Sequence, residues 1–306
     1  MEQRELFDHY RSLWEHKKNK SGLSHTEKAW NERADEWAKE LDKDSAMSRV
    51  TGRRVSEAIR LLTAKNILHP EADVIDIGCG PGRFVAEFAE RSRHAAGTDI
   101  SPKMLQFGSE YCREKGIDNV SFTACDFKNT TVEEMGWNKR FDLVFSCMTP
   151  AVSSFDSLEK MIAMSRGYCC NTCCIDSKSR LETEIARIFD LENTRPFWNG
   201  DWFYSLLNLV WLLGYYPETD YYTLDYTEPR HVAPGMVRDK LKRMCPGGEF
   251  SEEQIEQVCS GLSALSENGI FTDICTNRYG TVLWDTRVMR PAGSTADQMP
   301  EGRKMP

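Results

Sequence analysis

The 306 residues are 40% hydrophobic and 28% charged, which supplies a core for one large or two modest domains and excludes a wholly disordered chain. Thirty-nine basic residues against 47 acidic ones leave a net charge of −8, a field that repels phosphate backbones and argues against nonspecific nucleic-acid binding. No apolar run approaches the ~20 residues of a membrane span, the N-terminal twenty residues lack a signal-peptide core, and the 11 cysteines then read as reduced thiols of a soluble cytoplasmic protein.

In chain order, residues 1–70 read as a helical extension. Trp30, Ala34, Trp37, Ala38 and Leu41 recur at helical spacing, and Val50, Val55, Ile59 and Leu62 mark a second helix over Arg49–Lys65 that stops near His69-Pro70. Residues 71–180 alternate strand and helix at βαβ lengths. Ala72–Ile77 is a nearly continuous apolar run, the pattern of a strand buried on both faces, and His94–Thr98, Asn119–Ala124, Arg140–Ser146 and Tyr168–Asp176 follow as strands. Helices are predicted over Arg83–Arg91, from Pro102, and over Leu158–Met164. The segment 181–216 reads as a helical insertion rich in aromatics. Residues 217–290 return to the sheet with strands at Tyr221–Tyr226 and Tyr279–Trp284 and a helix over Ser251–Leu265 between them, and 291–306 has the composition of a disordered tail.

The strongest signal is Val74-Ile75-Asp76-Ile77-Gly78-Cys79-Gly80-Pro81-Gly82-Arg83-Phe84, which follows one predicted strand and opens a predicted helix. Glycine lets backbone approach a ligand closely and adopts positive φ without strain. The spacing is G-x-G-x-G, not the G-x-G-x-x-G whose helix N-terminus holds a pyrophosphate. Asp76, on the strand just before the loop, disfavours a pyrophosphate and suits a cationic amine.

This loop resembles motif I of class I S-adenosylmethionine-dependent methyltransferases, and the later motifs fall where that family has them. Thr98-Asp99-Ile100-Ser101 ends the second strand, Ala124-Cys125-Asp126-Phe127 the third, and Phe141-Asp142-Leu143-Val144 forms the fourth. Trp30-Asn31-Glu32-Arg33-Ala34-Asp35-Glu36-Trp37 is similar to the N-terminal segment of many small-molecule members. The resemblance spans residues 28–176. It implies an α/β fold: a doubly wound, mostly parallel seven-stranded sheet with an N-terminal helical extension and a helical cap. Residues 71–180 would be the S-adenosyl-L-methionine-binding core, and S-adenosyl-L-homocysteine the product.

The resemblance also implies roles. Asp76 would organise the methionine amine, and Gly78, Cys79 and Gly80 would lay backbone against the methionyl and ribose parts. Asp99 would accept both ribose hydroxyls. Ile100 and Met104 would line the adenine slot, Asp126 would accept from its exocyclic amine, and Phe127 would lie beside it. Ser146 and Cys147 would face the sulfonium and methyl, while Trp30, Arg33 and Gly82 complete the expected cofactor-binding set.

Methyl transfer from a sulfonium needs positioning and exclusion of water more than a fixed catalytic signature, and none is evident. Tyr10, Trp198, Trp202 and Tyr204 are candidate acceptor-binding residues, the aromatic stretch being equally readable as a core or homodimer helix. His9, Tyr10, His25, Asp201, Tyr204 and His231 are possible acid-base groups, each read more readily as structural. Arg53-Arg54 reads as a solvated helix face. On a strand, Cys169 and Cys173 would face one side and Cys170 and Cys174 the other, as small buried hydrophobes. Cys147-Met148-Thr149-Pro150 departs from the Asn/Asp-Pro-Pro-aromatic pattern of DNA adenine methyltransferases. A small-molecule acceptor is therefore expected, with no metal, membrane or nucleic-acid partner. A nicotinamide-dependent oxidoreductase and a non-catalytic cofactor-binding scaffold are the alternatives.

Overall fold

The computed structural model describes the chain except residues 1–2, 16–23, 43–44, 190–199, 246 and 292–306. Three helices, α1 (Gln3–Glu15), α2 (Glu27–Ala38) and α3 (Ala46–Ala64), precede the sheet. The βαβ region then runs β1 (Asp73–Ile77), α4 (Arg83–Ala89), β2 (His94–Asp99), α5 (Pro102–Glu114), β3 (Val120–Ala124), β4 (Phe141–Cys147), α6 (Phe155–Met164) and β5 (Ser165–Ser179). The chain continues through α7 (Arg180–Phe189), α8 (Asp201–Leu212), β6 (Glu218–His231), α9 (Pro234–Met244), α10 (Glu252–Ala264) and β7 (Ile270–Asp285).

The seven strands form one sheet in the order β3-β2-β1-β4-β5-β7-β6. β1 through β5 pair in parallel, whereas β7 enters antiparallel between β5 and β6. The sheet order reverses between β1 and β4, and in open α/β sheets ligands bind outside the strand ends at such a switch point.

Both faces are covered. Ile75, Val144 and Cys169 pack with Met161 of α6, Leu206 of α8 and Trp14 of α1. Val74, Leu143, Phe145 and Cys170 pack with Val55 and Leu62 of α3 and Phe88 of α4. The two neighbouring cysteines thus turn to opposite faces, as the strand period requires. A third cluster joins Leu181 and Ile185 of α7, Val237 and Leu241 of α9, Val258 of α10 and Phe271 of β7. The segment 181–216, expected as one cap, therefore contributes α7 to a three-helix cluster and α8 to a layer on the sheet.

β6 and β7 are much longer than the apolar runs that predict them. β6 lies at the sheet edge and alternates half-buried with exposed residues over most of its length, so polar residues mask it in the sequence. Pro229 within it is tolerated because an edge strand does not need every N–H. Helix α9 is not anticipated by the sequence reading; Pro234 opens it, and only Val237 and Leu241 are buried. Among the described residues, no helix is long and apolar enough to cross a membrane.

Candidate active site

The loop after β1 takes its shape from three glycines with φ of +68° at Gly78, +53° at Gly80 and +79° at Gly82. The amides of Gly78 and Cys79 both donate to the Thr98 carbonyl, at 2.7 and 3.0 Å, which folds the loop over the end of β2. A Cβ on Gly78 would land on the Thr149 side chain, so the loop also lies hard against the turn after β4. The space beside Gly80 is open to beyond 4 Å, leaving bare backbone on the cleft side.

Asp99 ends β2 next to that loop. One carboxylate oxygen accepts from the Gly80 amide at 3.0 Å and the other from the Ser101 amide at 2.9 Å. Burial pushes its pKa up, and those amides, with that of Ile100, pull against the rise. Ser101 caps α5, accepting from the Met104 amide, and its hydroxyl donates to Asn31 Oδ1 at 2.7 Å. The Lys103 amide reaches the same oxygen at 3.3 Å. Helix α2 is thereby tied across the β2–α5 turn, with Trp30 and Trp37 lining the cleft beneath it.

The cleft is open at its mouth. Of the residues expected to hold a cofactor, Trp30, Asp76, Gly78, Cys79, Gly80, Asp99, Ile100, Met104, Asp126, Phe127 and Cys147 line it. Asp126 also accepts from the Lys128 amide at 3.2 Å and from Asn129 Nδ2 at 2.8 Å, which shapes the turn it sits on.

Three others stand behind the wall. Gly82 is the left-handed residue preceding α4, where a Cβ would strike the Phe122 ring. Arg33 lies over the Trp30 ring at 5.1 Å and donates to the Ser24 carbonyl at 3.1 Å. Ser146 is fully buried on the opposite side of β4 from Cys147, accepting from Asn171 Nδ2 at 2.8 Å.

The expected acceptor residues do not gather at the cleft. Tyr10 and Tyr204 meet hydroxyl to hydroxyl at 3.2 Å between α1 and α8, and Tyr204 is 53% exposed. Trp202 packs against the core shared with α6 and β5, and Trp198 lies outside the described residues. Aromatic residues on α8 thus serve the helix layer. Of the acid-base candidates, His25 alone lines the cleft, stacked on Trp30 at 5.9 Å. Burial, then the charges of Lys128 and Arg33, push its pKa down.

Two charged residues turn inward: Glu40, which the sequence analysis does not single out, and Arg54, which it reads as part of a solvated helix face. Glu40, 6% exposed, accepts from the Thr51 hydroxyl at 3.3 Å and lines the cleft. Burial raises its pKa to about 7 against the pull of Arg54, Thr51 and Arg83. Its signal was its position three residues after Trp37, continuing the Trp30–Ala34–Trp37 stripe. Arg54 lines the cleft while its neighbour Arg53 stays exposed and donates to the Asp225 carbonyl. Asp76 is 2% exposed, and burial followed by the fields of Glu40 and Asp99 holds its pKa well up. The Cys147 thiol is pushed up to about 12 by burial, so it is neutral near pH 7. Among the described residues, no group of histidine, cysteine, aspartate or glutamate is arranged to hold a metal.

Glu40 makes a stability prediction. Its folded pKa of about 7 exceeds the ordinary 4.5, so its contribution is complete below pH ~4.5 and is lost as pH rises through ~7. At ~1.4 kcal/mol per unit the loss reaches about 3 kcal/mol. Ligand-free Glu40→Gln is expected to lose this decline, gaining up to about 3 kcal/mol over wild type between pH 5 and pH 8 in denaturant titrations. Parallel pH dependence in the two proteins would contradict a buried, protonated Glu40.

The sheet order with its one inserted antiparallel strand, the glycine loop after β1 and the acid ending β2 define a class I methyltransferase architecture. Residues 68–203 match the family model described as a methyltransferase domain, and this segment is an S-adenosylmethionine-dependent methyltransferase domain of that class. A 2-heptyl-1-hydroxyquinolin-4(1H)-one methyltransferase of Mycobacteroides abscessus is 36% identical over 72 residues, covering 24% of this chain and 30% of that protein. The human EEF1A lysine methyltransferase 2 is 26% identical over 136 residues, covering 41% of this chain and 57% of that protein. The chain thus spans less than two thirds of the length of these curated relatives. A magnesium protoporphyrin IX methyltransferase structure from Synechocystis aligns with 84% of this chain and 96% of its own at 13% identity and a TM-score of 0.48.

Proposed function

We propose that this protein transfers a methyl group from S-adenosylmethionine to a small-molecule acceptor. The observation that carries the reading is the convergence of Asp99, the open backbone at Gly80 and the buried Asp76 on one cleft. These residues fit the group. Asp99 has both oxygens fixed by amides and its remaining lone pairs available to a diol, and charge-assisted bonds to two hydroxyls are strong. An ammonium brought beside Asp76 and Glu40 would favour their ionised forms and pair with them, whereas a pyrophosphate would not, which weighs against a dinucleotide. Ile100, Met104 and Phe127 would enclose the adenine, with Asp126 accepting from its amine.

When bound, S-adenosylmethionine supplies an already activated methyl on a cationic sulfur. The chain then has to orient the acceptor and exclude water. Trp30 and Trp37 of the α2 roof and the 147–151 turn line the cleft for those tasks. The net charge of −8 favours a small acceptor over a polyanion.

The test has two stages. Calorimetric titration should give binding of S-adenosylhomocysteine and none of NADH. Release of S-adenosylhomocysteine should then follow addition of hydroxyl, amine or thiol small molecules and not of peptide or RNA substrates. Turnover confined to peptide or RNA would overturn the small-molecule assignment. Binding without turnover on any acceptor would favour the scaffold alternative.

A further inference from the structure

Helix α8 has the composition of a buried helix. After Asp201 it holds no charged residue, and a helix apolar all round is normally covered on every side. One side is covered: Phe203, Leu206, Leu209 and Val210 pack into the core beneath it. The other is not, since Tyr204 and Trp211 are both about half-exposed. Helix α10, by contrast, turns Glu253 and Glu256 to solvent while burying Ile255 and Val258, the usual division of a surface helix.

The exposed side of α8 is a stripe. Tyr204, Leu207 and Trp211 follow at i, i+3 and i+7 with Asn208 beside them, and Tyr216 extends the stripe past the helix end. Both aromatic ends are held in place. The Tyr204 ring meets Tyr10 edge-on at 5.4 Å. The Arg290 guanidinium lies over Trp211 at 4.3 Å and donates to the Trp211 carbonyl, while Tyr216 meets the Trp211 ring edge-on at 6.2 Å. Val288 and Met289 are exposed next to this end, where Met289 bridges to Tyr215. Trp, Tyr and Arg anchors of this kind dominate the energetics of protein interfaces.

We propose that this stripe is the interface of a two-fold symmetric dimer of the chain, with α8 laid antiparallel on α8 of a second copy. The stripe reads alike from either end: an aromatic ring, the Leu207–Asn208 centre, an aromatic ring. A two-fold axis through that centre sets Tyr204 of one copy against Trp211 of the other, twice, because isologous contacts are reciprocal. Like meets like at such an axis, and a stripe without charge meets no repulsion there. At roughly 150–250 Å² per aromatic side chain, the half-exposed Tyr204, Trp211 and Tyr216 supply about 300 Å². Val288, Met289 and the polar rim extend this toward the ~800 Å² per partner of a stable interface. A lipid surface fits less well. α8 carries no Lys or Arg, which interfacial helices use on their polar face, and a net charge of −8 repels an anionic bilayer. None of the stripe residues lines the cleft, so the inference is independent of the methyltransferase reading.

Sedimentation velocity of the full chain over about 1–100 μM, which resolves a micromolar dissociation constant, compares wild type with Tyr204→Glu, Trp211→Lys and the control Leu265→Lys, a substitution at an exposed apolar residue elsewhere. Glu in the first turn and Lys in the last both suit the α8 dipole, so the variants keep the fold, which circular dichroism and the melting temperature check. Wild type and Leu265→Lys should dimerise alike. Each stripe variant alone should raise the dissociation constant about 100-fold or more, because its change enters the interface twice. An equal mixture of Tyr204→Glu and Trp211→Lys should regain much of the association, because their heterodimer keeps one native Tyr204–Trp211 pair and gains one Glu–Lys pair. Monomeric wild type throughout the range, or a dimer indifferent to both stripe variants, overturns the proposal. Loss in each variant without recovery in the mixture overturns the antiparallel register. Monomeric wild type that sediments with phosphatidylglycerol-containing vesicles, with Trp211→Lys left behind, overturns the dimer in favour of a lipid surface.

Discussion

Asp99→Asn is expected to weaken S-adenosylhomocysteine binding about 100-fold, measured by calorimetry at constant pH. In the ligand-free protein the Asp99 oxygens accept from Gly80 and Ser101, so the carboxylate is fixed before any ligand arrives. Asparagine offers one oxygen and one NH₂, and the NH₂ would face an amide donor. The charge is lost together with one acceptor. Hydrogen bonds to a charged group contribute about 1.5–3 kcal/mol each, and ~3 kcal/mol corresponds to roughly 100-fold in affinity. Asp126→Asn is the comparison: Asp126 serves the Lys128–Asn129 turn as well as the cleft, and a loss of about tenfold or less is expected. Equal losses in the two variants would remove the special role of Asp99.

Gly78→Ala is expected to destabilise the fold by about 3–4 kcal/mol in denaturant titrations. The left-handed backbone at φ +68° costs a residue bearing a Cβ about 1–2 kcal/mol. The methyl would also land on Thr149, and overpacking typically adds about 1–3 kcal/mol. Gly80→Ala separates structure from binding. Its φ is +53°, but nothing lies within 4 Å of the added methyl, so about 1–2 kcal/mol of stability is at stake. Its larger effect should be on S-adenosylhomocysteine affinity, because the methyl enters the space the cofactor is proposed to use. Pairing Gly78→Ala with Thr149→Gly should recover the steric part of the loss and leave the backbone part.

The sequence exposes the half of the site that rests on backbone geometry. Parallel strands buried on both faces appear as continuous apolar runs, so β1, β2 and β4 and the loops at their ends can be placed by counting. The glycines and Asp99 sit at positions that this geometry fixes. Glu40 and Arg54 are hidden for a different reason. Charged residues on an amphipathic helix look solvated until the helix is docked, and Arg53 and Arg54 differ only by the 100° between successive helical positions. Docking of α3 on the sheet sends one outward and the other into the cleft.

Tyr10 and Tyr204 mislead in the opposite sense. Aromatic residues between the fifth and sixth strands suit an acceptor pocket or a packed helix equally well, and α8 uses them against α1 and the sheet. The long β6–β7 pair escapes notice because an exposed edge strand alternates with polar residues, which dilutes the apolar run that marks a buried one.

A crystal structure of the protein with S-adenosylhomocysteine tests the central claim most directly. The cleft should hold the nucleoside with both ribose hydroxyls within ~3.2 Å of the Asp99 carboxylate and the adenine against Ile100, Met104 and Phe127. A nucleoside bound elsewhere, or one whose ribose faces away from Asp99, would contradict it.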